Sequence, residues 1–204
     1  MAVTTVQQVK GFDIYHGDGV VQMGLAKQAG YQFLIAKASQ GINGPDPMFT
    51  NNRARAHEVG LLFGAYHFFT SDDPIAQAQF FLGIAAPKPG ELVLTLDVET
   101  YFDGVAAAAL SAAQYIKQQT GQYPIIYSGE SFYQSYLDTT FPGDDYTLWI
   151  ARYGAAPDPS IVWAFWQSSE SGQIDGAPNP LDIDVFNGSM EDLLRHTIAA
   201  PAPS

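Results

Sequence analysis

Two carboxylates in the segment LTLDVET, Asp97 and Glu99, have the residue types and spacing most suited to chemistry in this sequence. In a strand, residues i and i+2 point to the same face, roughly 6.6 Å apart along it. Two like charges at that distance in a partly dry site repel, so one carboxyl is expected to keep its proton near neutral pH. Cleavage of a glycosidic bond needs that split. A protonated acid serves the leaving oxygen while an anion supports the opposite face of the sugar. The plainer alternative is a solvated pair, or one acid capping the following helix. The apolar run LVLTL in front of the pair argues against it.

Such a pair needs elements to position it. Short apolar runs read as buried strands at 11–15, 33–38, 62–69, 92–98, 123–128, 147–151, 162–167 and 183–186. Helical character lies between the first six, at 21–29, 47–59, 74–85, 105–119 and 131–137. Gly30 and Gly60 fall where a residue just past a helix end needs positive φ. Asp46-Pro47 and Asp73-Pro74 have the pattern of an N-cap followed by proline, and Ser131 could cap the fifth helix. Alternating strands and helices demand parallel crossovers. The class is α/β, and eight strands suggest an irregular TIM-like barrel without helices in its last third. A doubly wound open sheet is the alternative. No glycine-rich nucleotide motif follows a strand.

In a barrel of this kind, active sites gather at the C-terminal ends of the strands. Those positions hold Asp13, Lys37 with Ser39, Tyr66 with His67, and Asp97 with Glu99. Later strands add Tyr127, Arg152 with Tyr153, and Trp166 with Gln167. Asp182 and Asp184 flank the last strand, DIDVF. Asp182 precedes the apolar run, so it reaches the same rim only if this strand is antiparallel to its neighbours. Among Trp163, Trp166, Tyr127 and Tyr153, some would serve as sugar platforms and at least half as core.

Other chemistries fit less well. The acids, with His67 and His16, could hold a metal ion, but no HExxH-like spacing supports one. Ser-His-Asp catalysis lacks a GxSxG elbow, and Tyr127-Ser128-Gly129 resembles one only superficially. Neither a metal nor a cofactor is expected.

Composition narrows the partners. Against 21 Asp+Glu stand 9 Lys+Arg, a net charge of −12, which disfavours nucleic acid and anionic membranes. Aromatic residues make up 13% and charged ones 15%, a balance that suits sugar stacking but also a large core. No cysteine is present, excluding disulfides and a thiol nucleophile. No run of 18 apolar residues exists, so no membrane insertion is expected. The opening MAVTTVQQVK lacks the basic and apolar regions of a signal peptide. Residues 1–10 are read as an N-terminal extension, 11–196 as one barrel and 197–204 as a Pro/Ala-rich tail or linker, and a monomer is expected.

Several ordered segments carry a family resemblance: GFDIYHGDG, FLIAKASQG, DPMFTNNRARAHEVGLLFGAYHFF, LTLDVE, YPIIYS, LWIARY, WAFWQSSESGQIDG and LDIDVFNGS. Together they resemble the family 25 glycoside hydrolases, muramidases of the Chalaropsis type, over residues 11 to about 194. The resemblance implies a (β/α)5β3 barrel and hydrolysis of the β-1,4 bond between N-acetylmuramic acid and N-acetylglucosamine. Peptidoglycan glycan strands would then be the partner, met outside the cell after secretion or phage delivery. It also implies a cluster of Asp13, Asp97, Glu99 and Asp182, with Glu99 as acid/base and Asp97 orienting the substrate's 2-acetamido group. Direct attack by Asp97, or an inverting water, stays open. Lys37, Tyr66, Tyr127, Arg152, Trp166, Gln167 and Asp184 would contact substrate. The chain departs from the family at Tyr15, Gln40 and Ser168, where DxS, an acid in KA[TS]EG and WQY are common. A chitinase-type enzyme and a non-catalytic sugar-binding barrel are the rival readings.

Overall fold

The computed structural model describes residues 8–200. The expected extension and tail therefore lie partly outside the described residues, at 1–7 and 201–204. Nine strands form one sheet: β1 (Gln8–Ile14), β2 (Phe33–Gln40), β3 (Gly44–Pro45), β4 (Leu62–Phe68), β5 (Thr95–Asp97), β6 (Ile125–Gly129), β7 (Leu148–Ala151), β8 (Phe165–Gly172) and β9 (Leu181–Asn187). The order β1-β9-β8-β7-β6-β5-β4-β2-β3 closes through a further β1–β2 pairing, making an eight-stranded barrel with β3 attached to the end of β2. Every pairing between barrel strands is parallel except those of β9, which runs antiparallel to both β1 and β8. The open sheet is excluded.

Helices follow the first five barrel strands: α1 (Met23–Gln28), α2 (Phe49–Glu58), α3 (Pro74–Ala85), α4 (Val105–Thr120) and α5 (Glu130–Phe132), the last running into a π-helical turn (Tyr133–Leu137). A short α6 (Met190–Leu194) follows the barrel. The stripe Val105, Ala109, Ala112, Ala113 and Ile116 buries one face of α4. Asp73 caps α3, accepting from the backbone N–H of Ile75 and Ala76 at 3.1 and 2.8 Å. Gly30 and Gly60 adopt φ of +96° and +70°, as expected of residues just past α1 and α2. No helix of the described residues is long and apolar enough to cross a membrane.

Some ends differ from expectation. Met48, not Asp46, precedes the first turn of α2. Asp46 Oδ1 still accepts from the Met48 N–H at 2.9 Å in the turn leading into α2, while its Oδ2 accepts from the His16 N–H at 2.9 Å and meets His16 Nδ1 at 2.8 Å. Ser131 lies inside its helix, which Gly129 precedes. Strand β1 starts at Gln8, three residues before the expected 11. Ile198 N–H donates to Glu91 O at 2.7 Å, so the start of the expected tail is docked against residues 90–93. That docking also shortens β5, because Val93 N–H donates to His196 O rather than to a neighbouring barrel strand.

Period-two alternation sorts the strands into two cores. Phe33, Ile35, Ile125, Trp149, Phe165 and Phe186 fill the barrel, while Phe12, Leu34, Ala36, Leu96, Ile126 and Ile150 face the helices. Gly11 has no room for a side chain, since a Cβ there would sit 2.2 Å from the Phe33 ring. Apolar packing fills the lower barrel and leaves its upper end to polar groups.

Candidate active site

A cavity of about 290 Å³ opens at the C-terminal ends of the parallel strands. Asp13, Tyr15, Lys37, Tyr66, Phe68, Asp97, Glu99, Tyr127, Trp149, Gln167 and Asp182 line it. Each comes from the inward-pointing parity of its strand or the residues just beyond. Asp97 is buried, and Glu99, two residues on, is exposed at the mouth. Because β9 is antiparallel, its first residues reach this same rim, and Asp182 is the register partner of Asp13. The condition placed on Asp182 by the sequence is met.

Lys37 keeps the inward parity of Phe33 and Ile35, and a β-bulge follows it. The β2–β4 register shifts between Lys37 and Ser39, so Lys37 points into the cleft while Ser39 turns outward. Ser39 Oγ lies 2.9 Å from His67 Nδ1, against the helix layer. His67 also meets Gln77 Oε1 at 3.3 Å and stacks on Phe81, and its burial pulls its pKa down to about 4. A neutral structural histidine results. The Lys37 ammonium donates to Gln40 Oε1 at 2.8 Å and sits 4.8 Å above the Phe68 ring.

Gln167 organises the opposite wall. Its Oε1 accepts from the hydroxyls of Tyr127 and Tyr153 at 2.9 and 2.8 Å. With the carbonyl so occupied, its Nε2 donates to Asp13 Oδ2 at 2.8 Å and to Asp182 Oδ2 at 3.3 Å. Below them Asp184 is fully buried, with Oδ1 accepting from Trp149 Nε1 at 2.9 Å.

The carboxyl groups all bind protons more tightly than free ones. Burial raises Asp97 well above the usual range, the charges of Glu99 and Asp13 add to it, and Lys37 opposes. Glu99, at the mouth, is raised by partial desolvation in the cleft, against Lys37. Asp13 is raised well above by burial and by Asp182, and Asp182 itself to about 6, chiefly by burial. Repulsion in a partly dry site is the cause expected from the spacing, and desolvation is the larger of the two in each case. Two carboxyl oxygens of the cluster, Asp97 Oδ1 and Asp184 Oδ2, are buried without a hydrogen-bond partner, and of these two residues only Asp97 lines the cavity.

Three residues expected to touch substrate do not line the cavity. Trp166 is adjacent to Gln167 and so faces the other side of β8, where its Nε1 donates to Arg152 O at 2.7 Å and its ring meets Trp163. Arg152 pairs with Glu130 at 2.9 Å. Asp184 lies beneath the floor. In their place come Tyr15, Phe68 and Trp149. Alternation would have found two of them, since Tyr15 and Phe68 are two residues beyond Asp13 and Tyr66. Among the described residues no three His, Asp or Glu side chains are arranged to hold a metal ion.

A family model described as Glycosyl hydrolases family 25 matches residues 12–177. The chain belongs to glycosyl hydrolase family 25. It is 39% identical over 170 residues to the protein YegX of Escherichia coli K12, covering 79% of this chain and 61% of YegX. The chain thus spans about three-fifths of that relative's length. It is 29% identical to Lysozyme M1 of Streptomyces globisporus, covering 91% of this chain and 70% of that protein. The crystal structure of the bacterial lysozyme from Streptomyces coelicolor superposes with a TM-score of 0.85 at 27% identity, covering 95% and 98% of the two chains.

Proposed function

We propose that this family 25 barrel is a peptidoglycan hydrolase that cleaves the β-1,4 bond between N-acetylmuramic acid and N-acetylglucosamine. Similarity to proteins named Lysozyme M1 and, from Chalaropsis, N,O-diacetylmuramidase supports the substrate class. The observation that carries the chemistry is the unpartnered, buried Asp97 Oδ1 beside the mouth carboxyl Glu99. A buried acceptor without a donor is costly and calls for one from the substrate.

Glu99 is the acid/base. At the mouth it can reach the glycosidic oxygen, and its raised proton affinity keeps the acid form to a higher pH than a free glutamate would. In the free cleft the more deeply buried Asp97 holds a proton the more strongly of the two. Docking the substrate's 2-acetamido N–H on Asp97 favours the carboxylate there and leaves the proton to Glu99. Asp97 then orients the acetamido oxygen toward the anomeric carbon. That oxygen displaces the leaving group as Glu99 protonates it, and Glu99 next deprotonates the water that opens the cyclic intermediate. This is the substrate-assisted variant of the two-carboxylate scheme. Asp13 and Asp182, held by Gln167, keep the facing wall acidic and pre-oriented. Tyr66 and Tyr127 would line the sugar's path, and the cell wall would be the place of action.

End-group analysis of purified peptidoglycan after digestion tests the reading. New N-acetylmuramic acid reducing ends are expected. New N-acetylglucosamine ends would favour the chitinase-type rival, and the absence of new ends the non-catalytic one.

A further inference from the structure

Just beyond Glu99 the surface carries an aromatic pair that the cleft does not use. Tyr101 is 58% exposed and Tyr136 is 42% exposed. Their ring centroids lie 4.9 Å apart, and Phe132 backs Tyr136 at 4.8 Å. The two tyrosines come from different elements: Tyr101 from the loop after β5, Tyr136 from the segment after β6. Large exposed rings in contact leave apolar faces in water without a folding benefit that demands it.

Two features fix the pair in place. The Tyr101 hydroxyl donates to Asp103 Oδ1 at 3.0 Å, which restrains the ring. Tyr136 sits on the π-helical turn Tyr133–Leu137, whose wider winding changes the direction of the side chains it carries. Such turns are rare and occur frequently at functional sites. Leu137 and Tyr133 on the same turn are buried, so the turn is anchored while Tyr136 stays outside.

We propose that Tyr101 and Tyr136 form a platform for the glycan strand outside the cleft, stacking on the apolar C–H face of a sugar further along from the cleaved bond. The proposal rests on the hydrolase reading above, since the platform adjoins the cleft through Glu99-Thr100-Tyr101. Its occupant is a β-1,4-linked N-acetylhexosamine unit. Flat rings with a tethered hydroxyl suit the alternation of apolar faces and polar edges that such a sugar presents. With a formal charge of −12, the chain has little electrostatic attraction to an anionic wall, which leaves stacking as a means of holding a long strand.

The test measures binding, so that it does not depend on turnover. Calorimetric titration of Glu99→Gln with stem-free muramic acid–glucosamine oligomers of increasing length is compared with Glu99→Gln carrying Tyr101→Ala and Tyr136→Ala. The double replacement is expected to weaken the longest oligomer about tenfold and leave the shortest one bound by the cleft unchanged. Both rings lie at the surface, so the double variant should stay folded, with only a small drop in melting temperature from the lost contact with Phe132. Tyr136→Phe, which keeps the ring, should bind like the parent. Equal affinities for long oligomers with and without the two tyrosines would overturn the platform, as would an equal loss on the shortest. Dimerisation that disappears with the two tyrosines would overturn it in favour of a second copy of this chain. Reducing-end release by the native protein reports separately on the hydrolase reading.

Discussion

Asp13 and Asp182 are register partners across β1 and β9, and the amide of Gln167 donates to both carboxylates. Two acids opposed in this way would repel and splay if nothing bridged them. The bridge is oriented by its other end, where two tyrosine hydroxyls occupy the carbonyl oxygen. The acidity of this wall is thus a property of one amide and its four partners.

Replacing that amide tests the bridge. Gln167→Met leaves the hydroxyl of Tyr127 and the carboxyl of Asp13 without their buried partner, at a cost of about 1–3 kcal/mol in stability. Asp13 loses the donor that favours its anion, so its proton affinity should rise further. Denaturant unfolding and the pH profile of kcat/KM would check the two effects.

Glu99→Gln should reduce cleavage by about 10²–10⁴-fold, the usual contribution of a positioned acid/base. Glu99 is exposed, so the fold should be unaffected. Reducing-end release and a thermal melt, measured together, separate loss of chemistry from loss of structure.

Lys37→Met removes the cation that holds down both Asp97 and Glu99. Each carboxyl should then keep its proton to higher pH. The pH profile of kcat/KM is expected to move toward alkaline values, and a shift toward acid would contradict this account.

Stability should fall as pH rises past the usual carboxylate range. Asp182 is raised from 3.8 to about 6, so the folded state binds the extra proton and this stabilisation is lost as pH rises through that window. Asp13, Asp97 and Asp184 are raised well above 3.8 and prolong the loss upward. His67 acts in the opposite sense. Its pKa falls from 6.5 to about 4, so its stabilisation is present above 6.5 and is lost as pH falls through about 4. Asp182 and His67 oppose each other over the same range, so the raised Asp13, Asp97 and Asp184 set the sign, and the melting temperature should decline as pH rises. Asp184→Asn keeps an oxygen for Trp149 and has no proton to lose, so its decline should be shallower.

Glu91→Gln should destabilise the barrel by about 3–5 kcal/mol, as breaking a buried ion pair does. Arg53 Nε donates to Glu91 Oε1 at 2.7 Å and its Nη1 to Ala85 O at 2.7 Å. That guanidinium closes the C-terminal end of α3, where Ala86 takes the left-handed φ of +38°. Thermal melts over a range of salt concentrations would check it, because a buried pair is screened weakly.

Much of this was legible in the sequence because it is local. The alternation of apolar runs counted the strands, and positive-φ glycines and Asp73 marked helix ends. The i, i+2 spacing alone put Asp97 and Glu99 on one face. Gln167 was named for its place at a strand end, but nothing near it in sequence announced that Tyr127, Tyr153, Asp13 and Asp182 would meet on its amide.

What the sequence by itself determined was the frame and the opening pair of acids, since both follow from chain periodicity over a few residues. Tertiary structure decided which side each remaining group faces. The direction of β9 brought Asp182 to the rim, because a parallel strand would have carried it to the other end of the barrel. One bulge in β2 separated Lys37 from Ser39. Strict alternation in β8 sent Trp166 outward as it sent Gln167 inward. Strand direction and register come from pairing between distant segments, and a single-residue shift reverses every side chain on a strand.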